Sequence, residues 1–138
     1  MNREELLNVI ACFGSTETNN YKMDTAVAWI RCLQHRCSPI IKLRQMGIDE
    51  IIIYGITELG ELLVDEAVLR GYKVFGIMDR RVGCGGYSFR GIPVISRMEL
   101  NHHIDKYIVV SSVTFWEEIE KELRKQGCQH IISLRELL

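Results

Sequence analysis

The sequence predicts an α/β fold, in which an open parallel sheet of about five strands follows a helical N-terminal segment. Two observations predict this fold. From residue 49 to residue 138, apolar runs typical of strands buried on both faces alternate with amphipathic helical patterns. Before residue 48, apolar residues recur at helical spacings instead. We therefore expect a helical segment at residues 1–47 and an α/β domain at residues 48–138.

The N-terminal segment carries three helical patterns. A short apolar stretch lies at residues 6–10, and a polar loop is expected at residues 14–20. Asp24 is a candidate N-cap for a helix whose apolar residues recur at spacings of three and four. These apolar residues are Ala26, Val27, Ile30, Leu33 and Cys37. Pro39 ends this helix or begins the next one, which Gly47 is suited to follow.

Five apolar runs in the α/β domain predict its strands. They lie at residues 51–54, 73–79, 92–95, 106–111 and 129–132. Helical patterns lie between them at residues 58–70, 96–100 and 114–125, and residues 80–91 form a glycine-rich connection. Pro93 predicts that the third strand lies at a sheet edge, and Thr114 with Glu117 predicts a capping box on the last helix. Right-handed crossovers then predict the strand order 3-2-1-4-5, with helices on both faces.

Charge and composition argue against several classes of protein. The 138-residue chain has a formal net charge of −1 and no basic tract, so nothing indicates binding to nucleic acid or to a membrane surface. No apolar run approaches the roughly 20 residues that span a bilayer, and the acidic N-terminus is unlike a signal peptide. Five cysteines without regular close spacing are typical of reduced thiols. These observations predict a cytoplasmic protein.

A degenerate glycine turn follows the first strand. A dinucleotide-binding turn has the pattern G-x-G-x-x-G, in which the middle glycine lets backbone amides approach a pyrophosphate. Here Gly55 and Gly60 stand at the outer positions, Thr57 at the middle one, and Glu58 and Leu59 where the helix begins. The turn makes the predicted domain Rossmann-like and indicates a modified phosphate- or nucleotide-binding site. The alternative is that the two glycines serve only turn geometry and packing.

Polar residues at the ends of the second and fourth strands extend this candidate site. Asp79 lies 24 positions after Gly55, near the spacing of about 20 at which an acidic residue binds ribose. Arg80 and Arg81 follow directly, either as contacts for a 2′-phosphate or another anionic group or as part of a solvated loop. Ser111 ends the fourth strand at the same rim, where its hydroxyl either donates to a ligand or caps a turn. No catalytic residue is recognisable beside the turn.

The strands and turns of the domain resemble a known group of modules. The residues that carry the resemblance are 53–55 with 59–60, 75–79, 91–94, 107–110 and 131–134. They resemble the Rossmann-like nucleotide-sugar-binding modules of bacterial surface-polysaccharide biosynthesis, which include the N-terminal domains of sugar acyltransferases and modules attached to glycosyltransferases and methyltransferases. Residues 29–47 resemble the helical lead-in of the glycosyltransferase-associated type. The resemblance covers about residues 25–138 and implies nucleotide or nucleotide-sugar binding at the glycine turn, with Asp79 near the sugar or base.

Three functions are compatible with these features. The first is a nucleotide- or nucleotide-sugar-binding module linked to surface-polysaccharide or sugar modification, with a glycosyltransferase-type partner domain. The second is an NAD(P)-binding oxidoreductase-like fragment. The third is a non-catalytic structural or assembly module with a degenerate site. Such a module would form a homo-oligomer or bind a partner through Val27, Ile30 and Leu33, unless that face covers the chain's own sheet.

The cysteines are weak candidates for a metal site. Cys32 and Cys37 lie five positions apart on a predicted helix, which places them about 140° apart around its axis. A zinc site needs four ligands with paired short spacings, and no second pair lies nearby. Cys84, between two glycines, is expected in a flexible and exposed loop. The sequence therefore predicts thiols and no metal centre.

Overall fold

The computed structural model describes residues 17–81 and 86–138 of the chain. Three features expected from the sequence lie outside these residues, namely the apolar stretch at residues 6–10, the first part of the polar loop at residues 14–20, and Cys84. The helices are α1 (Glu17–Gln34), α2 (Pro39–Gln45), α3 (Glu58–Leu69), α4 (Arg97–Leu100) and α5 (Trp116–Gln126), followed by a 3-10 helix at Leu134–Leu137. The strands are β1 (Glu50–Tyr54), β2 (Lys73–Met78), β3 (Tyr87–Phe89), β4 (Ile92–Val94), β5 (Tyr107–Val110) and β6 (His130–Ser133).

Helix α1 is longer than the sequence predicts and buries a different face. It already includes Glu17, so Asp24 lies inside the helix rather than at its N-cap. Val27 and Ile30 from the expected apolar face are only half buried, whereas Trp29 is 4% exposed and lies in the core beside the sheet. Because an indole buries more apolar area than an aliphatic side chain, Trp29 determines which face of α1 turns inward.

The end of helix α1 brings Cys32 and Cys37 together. Arg36 adopts the left-handed conformation, with a φ of 57°, and the N–H of Cys37 donates to the carbonyl oxygen of Cys32 over 3.0 Å. This is the Schellman pattern, in which the chain beyond a helix folds back onto the last turn. The expected separation of about 140° around a helix axis is wrong, because the helix already ends at Gln34.

Six strands form one sheet in the order β3-β4-β2-β1-β5-β6. All neighbouring strands are parallel except β3 and β4, which form an antiparallel hairpin. The sheet has one strand more than expected, because β3 lies in the segment that the sequence assigns to a glycine-rich connection. Arg90 and Gly91 make the hairpin turn with φ values of 51° and 80°, as in a type I′ turn.

The edge position expected for Pro93 is wrong. Strand β4 lies between β2 and β3, where Pro93 is opposite Ser88. In a two-residue hairpin, the pair next to the closing pair is not hydrogen bonded, so β3 needs no N–H from Pro93. On its other side β4 pairs with β2 at one position, Ile77 with Val94. The missing N–H of Pro93 therefore removes few of the hydrogen bonds between strands.

A hydrophobic core lies on each face of the sheet. Ile51 and Ile53 belong to the core that α1, α2 and α3 cover, together with Trp29, Ile40, Leu43, Leu59, Leu62 and Leu63. Ile52 and Tyr54 belong to the core that α4 and α5 cover, together with Leu100, Ile119 and Leu123. Strand β1 is therefore buried on both faces, as its continuous apolar run predicts. The prediction of an α/β fold with a mostly parallel sheet and helices is confirmed.

Candidate functional site

A cavity of about 260 Å³ opens where β1, β2 and β5 end. Its walls come from helix α1, the β1–α3 turn, the end of β2, and the β5–α5 loop with the first part of α5. The lining residues are Lys22, Tyr54, Gly55, Thr57, Leu59, Asp79, Arg80, Arg81, Ser111, Ser112, Val113, Thr114, Phe115 and Ile119. Seven of the nine candidate residues thus line one cavity, and Glu58 and Gly60 are their neighbours in the sequence.

Close packing fixes both glycines of the turn. Gly55 has a φ of 119°, which a residue with a side chain rarely adopts, and a Cβ there would overlap the hydroxyl of Ser111. A Cβ at Gly60 would overlap the carbonyl oxygen of Gly55. At Gly60 the geometry therefore matches the packing alternative, since this residue brings the first turn of α3 onto the end of β1.

Ser111 is committed to the backbone of the turn. Its side chain is buried, and its Oγ lies 3.1 Å from the carbonyl oxygens of both Tyr54 and Gly55. The hydroxyl proton bonds to these acceptors, so the serine joins the ends of β5 and β1. Of the two roles expected for Ser111, the geometry matches the structural one.

The N-terminal end of helix α3 already holds a carboxylate. Thr57 occupies the N-cap position, but its side chain makes no capping hydrogen bond. The Glu58 carboxylate accepts a hydrogen bond from its own backbone N–H, which lowers the pKa of that carboxyl against the opposing effect of burial. Lys22 from α1 adds to the lowering, with its Nζ 3.2 Å from the Glu58 Oε2. A helix N-terminus favours an anion, and here Glu58 takes that place.

Asp79 ties the end of β2 to the glycine turn. Its carboxylate is 8% exposed and accepts hydrogen bonds from the backbone N–H of Ile56 at 2.7 Å and of Arg81 at 2.9 Å. The Arg81 guanidinium donates to it twice more, at 3.0 and 3.1 Å, and also to the Ile56 carbonyl at 2.7 Å. Burial would raise the pKa of Asp79, but these hydrogen bonds outweigh it and lower that pKa. A ribose hydroxyl, the partner expected from the sequence, would have to displace one of these donors.

Arg80 points away from Asp79 and binds helix α5. Its guanidinium lies 2.7 Å from Glu122 and 3.5 Å from Glu118. Both arginines are exposed after β2, which is compatible with the solvated-loop alternative, and each also forms an ion pair with a carboxylate. Arg81 remains 70% exposed beside its ion pair with Asp79, and one side of its guanidinium is open to an anionic ligand.

A comparison with known protein families finds a match that covers most of the chain. The family model described as C2185-like, N-terminal matches residues 47–132. The chain belongs to this family. No curated protein and no solved structure matches the chain. The C2185-like N-terminal match includes every residue that lines the cavity except Lys22, which helix α1 supplies.

Sequence reasoning missed several contributors to the cavity of this C2185-like domain, among them Lys22 and Phe115. Lys22 lies on a helix far from the turn in sequence, and no local pattern identifies it. Phe115 lies in the β5–α5 loop and is 50% exposed, which is unusual for a phenylalanine. The capping box expected from Thr114 and Glu117 is wrong, because α5 begins at Trp116. Thr114 lies in the loop before the helix and lines the cavity.

The described residues of the C2185-like chain were also compared with the requirements of a metal site and of a membrane-spanning helix. Within residues 17–81 and 86–138, no three His, Cys, Asp or Glu side chains are arranged to hold a metal ion. No helix in the same ranges is long and apolar enough to cross a membrane. The partly or fully exposed cavity groups that can bind an anion include Lys22, Arg81 and the hydroxyls of Thr57, Ser112 and Thr114.

Proposed function

We propose that this C2185-like domain is a Rossmann-like module that binds a nucleotide or nucleotide sugar in the cavity beside Gly55. The position of the cavity carries the proposal. In open α/β sheets, ligands bind at the carboxyl ends of the strands, where neighbouring strands connect in opposite directions. Strand β1 has β2 on one side and β5 on the other, and the cavity opens where these strands end.

The chemistry of the cavity suits a base with a phosphate attached. Tyr54, Leu59, Val113, Phe115 and Ile119 supply apolar walls for a planar ring. The positive groups lie at the rim, where Lys22 is 24% exposed and Arg81 is 70% exposed. Planar guanidinium groups bind phosphate in a bidentate manner. An apolar slot with a basic rim therefore favours a nucleotide over an uncharged sugar.

Size and charge favour a single nucleotide unit over a dinucleotide. The volume of about 260 Å³ lies below the roughly 300–1,000 Å³ of typical ligand pockets. The Glu58 carboxylate occupies the N-terminus of α3, where dinucleotide-binding turns hold the diphosphate of NAD(P). The phosphates of a bound nucleotide sugar must therefore lie elsewhere, towards Lys22 and Arg81 at the rim. These two observations make the NAD(P)-binding oxidoreductase-like fragment the weaker candidate.

The pathway assignment rests on the sequence resemblance to nucleotide-sugar modules of surface-polysaccharide biosynthesis. Under this proposal the domain recognises the nucleotide part of an activated sugar, and a glycosyltransferase-type partner domain carries out the chemistry. A cytoplasmic location suits such a ligand. The proposal assigns no catalytic residue to the chain itself.

Calorimetry with a panel of ligands tests the proposal. We expect UDP-sugars or related nucleotides to bind in the micromolar to millimolar range, and NADPH and coenzyme A to bind more weakly. Arg81→Gln should weaken nucleotide binding, whereas Lys121→Gln, an exposed lysine on α5 outside the cavity, should not. The proposal is wrong if no nucleotide binds at millimolar concentration, and NADPH as the tightest ligand would favour the oxidoreductase-like alternative.

A further inference from the structure

A second cavity, of about 620 Å³, lies between α1, α2 and the C-terminal 3-10 helix. It shares no lining residue with the cavity beside Gly55. Two thiols, Cys32 and Cys37, line it together with three basic side chains, Arg31, Lys42 and Arg135. This combination of a dithiol and a positive surface lies outside the proposed nucleotide site.

The backbone places the two thiols side by side. The N–H of Cys37 donates to the carbonyl oxygen of Cys32 over 3.0 Å, and the N–H of Arg36 donates to Leu33 over the same distance. In this Schellman turn the side chain that follows the helix contacts the side chain on its last turn. A disulfide requires Cα atoms about 4.4–6.8 Å apart, a separation typical of residues joined by such a hydrogen bond. Both cysteines are free thiols here.

The two thiols differ in accessibility. Cys32 is 8% exposed, whereas Cys37 is half buried and opens to the cavity. Burial raises the pKa of the Cys32 thiol, and Cys37, its hydrogen-bond partner, raises it further. Cys32 therefore stays protonated in the reduced protein, and Cys37 is the thiol that a reagent in the cavity meets first.

The charges around the pair favour an anionic reaction partner. Arg31, Lys42 and Arg135 face one acidic side chain in the cavity, Asp24. None of the ion pairs between described residues involves any of these three basic groups. The three basic side chains are therefore free to contact the carboxylates of an anionic reagent. They also raise the local concentration of anions.

We propose that Cys32 and Cys37 form a reversible disulfide by exchange with an anionic low-molecular-weight disulfide that binds in this cavity. The Cys37 thiolate attacks one sulfur of that disulfide, whose S–S bond breaks and releases a thiolate that takes a proton from water. Cys32 then loses its proton to solvent and attacks the Cys37 sulfur, which releases the second thiol. The protein dithiol is oxidised, and the small disulfide is reduced to two thiols.

Peptide mapping after incubation with glutathione disulfide tests the pairing. We expect a Cys32–Cys37 crosslink in the wild-type chain and its disappearance after addition of dithiothreitol. Cys32→Ser should stop at a mixed disulfide between Cys37 and glutathione, and Cys37→Ser should react far more slowly. Cys128→Ser removes a buried thiol outside the cavity and should leave the crosslink intact. Absence of the crosslink in a correctly folded wild-type chain would overturn the proposal.

Reaction rates with two small disulfides test the role of charge. Glutathione disulfide is anionic, and bis(2-hydroxyethyl) disulfide is neutral. We expect Lys42→Gln or Arg135→Gln to slow the reaction with the anionic reagent about fivefold, the factor for one unit charge about 4 Å away in water. The rate with the neutral reagent should change less than twofold in each variant. Lys121→Gln is the matched control for charge. Equal slowing with both reagents would refute the anion-binding part of the proposal.

Discussion

The backbone of Gly60 lies directly against the carbonyl oxygen of Gly55, and no space remains for a side chain at Gly60. This contact sets helix α3 at the end of β1 and so shapes one wall of the cavity. In the sequence this pair of glycines indicates a nucleotide-binding turn. Packing already requires both glycines, whether or not the turn binds a ligand. Nucleotide binding therefore depends on the other residues around the cavity.

Gly60→Ala should destabilise the domain by about 3 kcal/mol, because the added methyl group overlaps backbone atoms that cannot rotate away. Urea unfolding followed by circular dichroism measures the loss. Gly71→Ala is the control, since Gly71 has a φ of 62° but open space around its Cβ position. That change should cost only about 1 kcal/mol, from backbone strain. Equal losses in the two variants would show that the contact with Gly55 is not tight.

Asp79 should make the stability of the domain depend on pH in the acidic range. Its folded-state pKa is lowered, so its contribution is present above the unfolded value of about 4 and is lost as the pH falls through the folded value. We expect Asp79→Asn to cost about 2 kcal/mol at neutral pH. The difference from the wild-type chain should shrink steadily below about pH 4. Urea midpoints over a pH series measure it, with the exposed Asp105→Asn as control.

Local patterns predicted those parts of the fold and site that depend on residues close together in sequence. The apolar run of β1, the glycine turn and the position of Asp79 after β2 are of this kind. The hydrogen-bond partners of Asp79 could not be predicted in this way. The same sequence spacing is compatible with a contact to ribose and with a hydrogen bond from the Ile56 N–H. Lys22 reaches the cavity from α1, whose buried Trp29 packs beside the sheet, and this long-range contact has no local sequence signal.

Two features that depend on the backbone conformation of one residue were also not predicted from the sequence. The left-handed backbone of Arg36, which brings Cys32 and Cys37 together, follows no glycine or asparagine signal. Strand β3 is three residues long and depends on the hairpin turn at Arg90. A segment rich in glycine beside it favours a loop by composition, so its pairing with β4 could not be expected.

Tyr72 should stabilise the domain until the pH becomes strongly alkaline. Its hydroxyl donates to the Ile48 carbonyl over 2.7 Å, and burial raises its pKa to about 12. This contribution is complete below the unfolded value of about 10 and is lost as the pH rises towards the folded value. Tyr72→Phe should cost about 1 kcal/mol at neutral pH. Tyr87→Phe, at a side chain 62% exposed, should change stability by less than about 0.5 kcal/mol.

Phe115 should act as a stacking surface for the base of a bound nucleotide. It is half exposed at the cavity wall, and stacking of a base on an aromatic ring contributes about 1–3 kcal/mol. We expect Phe115→Ala to weaken nucleotide binding about tenfold or more and Phe115→Tyr to preserve it. Met98→Ala removes an exposed apolar side chain outside the cavity and serves as control. Calorimetry measures the affinities, and an unchanged affinity in Phe115→Ala would place the base elsewhere.

The hydrogen bonds of Asp79 lead to a prediction about ribose. A carboxylate offers about four acceptor positions, and Asp79 already accepts two hydrogen bonds from backbone N–H groups and two from the Arg81 side chain. A ligand hydroxyl gains nothing there unless Arg81 moves, so nucleotides and their 2′-deoxy counterparts should bind with affinities within about twofold of each other. In Arg81→Ala the acceptor positions become free, and the ribose form should then bind more tightly than the deoxy form by up to about tenfold. A strong preference for ribose in the wild-type chain would show instead that Arg81 leaves Asp79 when the ligand binds. Binding of neither form would point to failure of the proposed nucleotide site itself.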